Sequence, residues 1–116
     1  MQIKYYFNLY ISKRLAAKKE KLIQKLEKNK LQPHIYLLTL AQGGQNQLEF
    51  FSTILLKQQA FEHTPLFVVG LAGGYDEALE LVQEITEEVL SKTGNVNIRK
   101  YLLEQQEEYE KGGLKA

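Results

Sequence analysis

The chain has no cysteine. A disulfide framework, thiolate nucleophiles and thiolate metal sites are therefore excluded. No apolar run approaches the roughly 18 residues that a membrane span requires. Met1 to Ile11 is apolar in places, but Lys4 and Asn8 interrupt it. Arg14, Lys18 and Lys19 stand where a small-residue cleavage site would be needed. The segment reads as part of the fold rather than a signal peptide. The expectation is a soluble, cytoplasmic protein with no membrane partner.

Recognisable chemistry is also missing. No stretch matches the glycine patterns of dinucleotide or nucleoside triphosphate sites. Ser12, Ser52 and Ser91 fall at helix or cap positions, not in a nucleophile elbow. His34 and His63 lie on different elements with no acidic residue at ligand spacing. Glu87-Glu88 and Glu107-Glu108 are adjacent carboxylates on exposed helix faces, without the shared pocket that acid–base work demands. The reading is no catalytic residue, no metal and no cofactor. It leans away from an enzyme.

What is present is a division of charge. Residues 1–30 carry nine Lys/Arg and two Glu, a net of +7, and residues 31–116 carry six Lys/Arg and twelve Asp/Glu, a net of −6. The whole chain is nearly neutral, at +1. Arg14, Lys18, Lys21, Lys25 and Lys28 are spaced to form one line along a helix, spanning about 80° at 100° per residue. Glu77, Glu80, Glu84, Glu87 and Glu88 form a similar line, spanning about 100°. Three explanations compete: two solvated faces, mutual complementarity within one chain or across a homodimer, and a polyanion partner for the basic line. Lysine dominates that line, so nucleic-acid binding through it would be weak and without sequence preference.

The hydrophobic pattern sketches the elements. Residues 5–29 read as a helix with Ile11, Leu15, Leu22 and Leu26 on one face. Its start is open, because Ile3 to Leu9 has strand-like aromatics. If helical, Tyr5, Tyr6, Phe7 and Tyr10 are wider than one core seam needs, and the excess suits core packing or a dimer contact. His34 to Leu40 reads as a buried strand, residues 41–47 as a turn. Leu48 to Phe51 reads as a returning strand, with Ser52 capping a short helix from Thr53 to Phe61. One helix over 47–61 is the alternative. Leu66 to Ala72 is the clearest strand and Tyr75 to Lys92 the clearest helix, with Ala78, Leu81, Val82, Ile85 and Val89 facing inward. A last helix runs from Ile98 to Lys111, placing Ile98, Tyr101, Leu102 and Tyr109 together.

The expected fold is α+β. A small, mainly antiparallel sheet of about three strands packs with two long amphipathic helices and a C-terminal helix. The alternative is α/β with a βαβα core. Residues 1–116 form a single domain, with 112–116 a frayed tail. One further candidate is a small-molecule site at Gly70, Gly73, Gly74 and Tyr75, where a glycine-rich strand-to-helix turn could cradle a ligand. Asp76 and Glu77 argue against phosphate there. The functional expectation is a non-enzymatic interaction module that self-associates as a homodimer. The alternatives are polyanion binding and a ligand, of unstated identity, at the glycine loop.

Overall fold

The computed structural model describes residues 3–28, 30, 32–40, 48–57 and 65–114. Four strands form one mixed sheet: β1 (Ile3–Ile11), β2 (Tyr36–Leu40), β3 (Leu48–Ser52) and β4 (Leu66–Ala72). Their spatial order is β1-β4-β2-β3. β1 pairs parallel to β4, whereas β2 pairs antiparallel to both β4 and β3. The helices are α1 (Lys19–Glu27), α2 (Tyr75–Thr93) and α3 (Ile98–Glu110). Among the described residues, 3₁₀ segments at Lys13–Lys18 and Thr53–Lys57 follow β1 and β3.

The fold is α+β, with two corrections. The sheet has four strands, not about three, because residues 3–11 form a strand and not the start of a helix. Apolar residues at three- and four-residue spacing run through that segment and imitate a helix. Its aromatic and β-branched residues instead suit a strand with apolar groups on both faces. The first helix is accordingly short: Lys13–Lys18 is 3₁₀ and only nine residues, Lys19–Glu27, are α-helical. The second correction concerns residues 47–61. Leu48–Ser52 pairs with β2 over five residues, so the hairpin reading holds and the βαβα alternative falls. The Ser52 hydroxyl accepts from the Ile54 N–H at 3.2 Å as the chain enters the 3₁₀ turn. The predicted turn at 41–47, the end of the short helix after residue 57 and His63 lie outside the described residues.

The sheet is covered on both faces. α1 packs Leu22 and Leu26, and the preceding 3₁₀ segment Leu15, against Leu9, Leu37, Val68 and Leu71. α2 and α3 pack Ala78, Leu81, Ile85, Val89, Ile98 and Leu102 against Tyr6, Leu38, Val69 and Ala72 on the other face. Neighbouring strand residues normally alternate between faces. In β4 the alternation slips at Gly70, because Val69 and Ala72 share one face while Val68 and Leu71 share the other. The slip is a bulge: Leu38 pairs with Gly70 but Thr39 with Val68. A Cβ on Gly70 would lie 3.3 Å from the Tyr10 carbonyl oxygen and 3.4 Å from the Leu38 Cβ. Glycine is the residue that permits this approach.

β1 bulges beside it, between Tyr5 and Tyr10. There the Phe7 N–H donates to the Gln106 side-chain oxygen of α3 at 2.7 Å. Gln106 is buried and also donates to Glu110, which pairs with Lys4 at 2.8 Å. The α3 side chains thus occupy part of the outer edge of the sheet at β1.

Candidate functional site

α2 has three sides. Its inward side is the core row Ala78, Leu81, Ile85 and Val89. By helical arithmetic the acidic line lies on one flank and Tyr75, Leu79, Val82, Thr86 and Leu90 lie on the other. The two flanks meet different parts of the sheet.

The acidic flank faces the β1 side. Arg14 donates to Glu77 through Nε at 2.9 Å and lies 2.8 Å from it through Nη2. The same guanidinium donates to the Gly73 carbonyl. About three turns further along the line, the Tyr10 hydroxyl donates to Glu88. Burial first, then this bond and the negative charge of Glu88, push the Tyr10 phenol well above its ordinary value. Burial likewise raises Tyr6, and burial with Glu27 nearby raises Tyr5 to about 12. These phenols therefore stay neutral rather than acting as nucleophiles, and the Tyr10 hydroxyl serves as a hydrogen-bond donor.

Glu77 closes the glycine loop. Its carboxylate accepts from the Gly73 N–H at 3.0 Å. Desolvation opposes its ionisation, but Arg14, the nearby Ser12 hydroxyl and the Gly73 N–H together hold its pKa below the ordinary value. The Ser12 hydroxyl itself is buried and has no hydrogen-bond partner in good geometry. The protein's own carboxylate thus holds the Gly73 donor at the head of α2, where an external anion would otherwise bind. Of the other loop residues, Gly70 lies inside β4, Gly74 has φ 129° at the start of α2, and Tyr75 points to the opposite flank. A groove of about 400 Å³ runs between Ser12, Lys13 and Arg14 on one wall and Glu77, Glu80 and Glu84 on the other.

The basic line is divided by the change of helix type. Arg14 belongs to the 3₁₀ segment and turns away to Glu77. Lys18, Lys21, Lys25 and Lys28 are exposed on or beside α1. Among the described residues none of the four pairs with a carboxylate. The reason is topological: α1 covers one face of the sheet and α2 the other. Within one chain the two lines meet only at Arg14 and Glu77.

The second flank of α2 was not singled out by its sequence pattern. It borders β3. Tyr75 packs edge-on to Phe50 at 5.4 Å and to Tyr36 at 6.4 Å between ring centroids. Tyr75, Leu79 and Leu90 are nevertheless 57%, 45% and 49% exposed. α3 sits over β1 and α2 over β4 and β2, and α2 reaches β3 on this face through Tyr75 against the half-buried Phe50. The signal was available: positions 75, 79, 82, 86 and 90 repeat at four and three residues without a charge.

Among the described residues, no group of three or more His, Asp or Glu is placed to hold a metal ion. His34 is exposed, with no hydrogen bond or ion pair among them. No described helix is long and apolar enough to cross a membrane. No protein-family model, curated protein or solved structure matches this chain.

Proposed function

We propose that this chain is a small non-enzymatic interaction module that forms a homodimer through β3 and the adjoining flank of α2. The observation that carries the reading is the uncharged stripe from Tyr75 to Leu90, in which Tyr75, Leu79 and Leu90 are exposed and Val82 and Thr86 half-buried, beside the Tyr36–Phe50–Tyr75 ring group. Exposed apolar side chains grouped along one flank mark interaction sites.

Two features favour a second copy as the occupant. β3 is hydrogen-bonded to β2 on one side and to no described strand on the other. Antiparallel pairing of two β3 strands is two-fold symmetric, as isologous dimers require. Phe50 is the middle residue of β3, so the axis would set Phe50 opposite Phe50. The α2 flank also carries no charge, so the two helical stripes meet without like-charge repulsion. The opposite edge is a poorer candidate, because Gln106 already takes an N–H of β1.

Size-exclusion chromatography with light scattering, run from low to high micromolar concentration, tests the reading. The expected result is a dimer that persists or tightens in salt, since apolar burial is not screened. Leu79→Glu and Leu90→Glu should each give a monomer with an unchanged circular dichroism spectrum. A wild-type chain that stays monomeric throughout refutes the proposal. So does a dimer that both glutamate variants leave intact.

A further inference from the structure

A different surface carries a second inference, independent of the dimer. The line Lys18, Lys21, Lys25 and Lys28 has no acidic residue three or four positions away on either side. Neighbouring lysines at this spacing repel by a few tenths of a kcal/mol per pair. Nothing in the described structure relieves the repulsion. The acidic line lies across the sheet, and Arg14, the one cation among the described residues that pairs with it, has left the row. Net charge for solubility does not account for the row either. The chain totals only +1, and interspersed charges would serve as well without the cost.

We infer that this row is a docking surface for the phosphodiester backbone of nucleic acid. Four ammonium groups on and at either end of α1, from Lys18 to Lys28, present about 15 Å of positive charge. Lysine supplies strong, undirected contacts to phosphate oxygens. No arginine or aromatic side chain stands among the four, so the surface holds the backbone without reading or stacking bases. An anionic bilayer is a poorer match. Surface-bound helices insert an apolar face, and the apolar face of α1, Leu22 and Leu26, is buried against the sheet.

The test is fluorescence anisotropy with labelled random-sequence oligonucleotides, duplex and single-stranded, across a salt series. Binding should appear at about 50 mM salt, and log K should fall with log salt at a slope of about −3 to −4 on duplex, the value for four phosphate contacts. Lys21→Glu combined with Lys25→Glu should lower affinity at least tenfold and shrink the slope by about two units. Lys100→Glu, on α3, should change neither. The lysines are exposed, so the double variant should keep its circular dichroism spectrum. The inference is overturned by no binding at low salt, or by binding that the double variant retains. Binding to phosphatidylserine vesicles but not to oligonucleotides also overturns it. A salt-weakened dimer abolished by the double variant would assign the row to the acidic line of a second copy, again against the inference.

Discussion

The two helices that flank the sheet are built on unlike terms. α2 runs for 19 residues and buries a full row of four core side chains, none more than 4% exposed. α1 runs for nine residues and buries only Leu22 and Leu26, with Leu15 added from the preceding 3₁₀ segment. α2 is also tied to β1 by Tyr10–Glu88 and to the 3₁₀ segment after it by Arg14–Glu77. On α1 the corresponding charges find no partner among the described residues. The comparison teaches that complementary charge lines do not imply contact. A sheet between them keeps them apart, and each line then answers to its own surroundings.

The sharpest test of this inequality is truncation of one core side chain on each helix. Ile85→Ala on α2 removes a side chain with 0% exposure from the larger core cluster and should cost about 3–5 kcal/mol in urea unfolding. Leu22→Ala on α1, 8% exposed near the rim, should cost about 2–3 kcal/mol. Equal losses would break the comparison and make α1 as integral as α2.

The ties between α2 and β1 give a pH signature. The Tyr10 phenol titrates above its unfolded value of 10.0. The unfolded chain then releases a proton above pH 10 that the folded chain keeps. The stabilisation is complete below that pH and is lost as pH rises towards the folded value, at no more than about 1.4 kcal/mol per pH unit for one group. Tyr10→Phe should be less stable at pH 8 by about 1 kcal/mol, for the lost hydrogen bond to Glu88. The gap to wild type should narrow in thermal melts above pH 10. A constant gap would deny the Tyr10 hydroxyl its role.

The smallest expected effect is at the Glu77 end of the acidic line. Arg14 is 65% exposed, so solvent screens its pair with Glu77. Arg14→Ala should cost about 0.5 kcal/mol near neutral pH. The Glu77 pKa is lowered on folding, so its contribution is present above the unfolded value of 4.5 and is lost as pH falls through the folded one. Wild type and variant should therefore converge in acid. A difference that survives full protonation would assign Arg14 a packing role instead.

Much of this was legible in the chain. The strand from Leu66 to Ala72 matches its predicted bounds, because a short β-branched apolar run between Pro65 and a glycine pair admits little else. α2 and α3 end within a residue of their predicted limits, where Gly94 and Gly112 adopt left-handed backbone. The N-terminal segment was harder. Its apolar spacing suits a helix, and only pairing with β4 selects the strand. Gly70 reads as loop chemistry in sequence, whereas the structure places it in a bulge against Tyr10 and Leu38. Gln106 carried no local signal at all, since its partner is 99 residues away at Phe7.

The sequence by itself determined the central strand Leu66–Ala72, the core rows of α2 and α3 and the segregation of charge. Each depends on residues close along the chain, where helical and strand periods act directly. Only the tertiary structure decided which charges meet. Pairing β1 beside β4 put α1 and α2 on opposite faces of the sheet, drew Arg14 alone to Glu77, and left both the lysine row and the Tyr75–Leu90 flank facing outward. Such placement depends on strand order, and strand order is set by contacts between residues far apart in sequence.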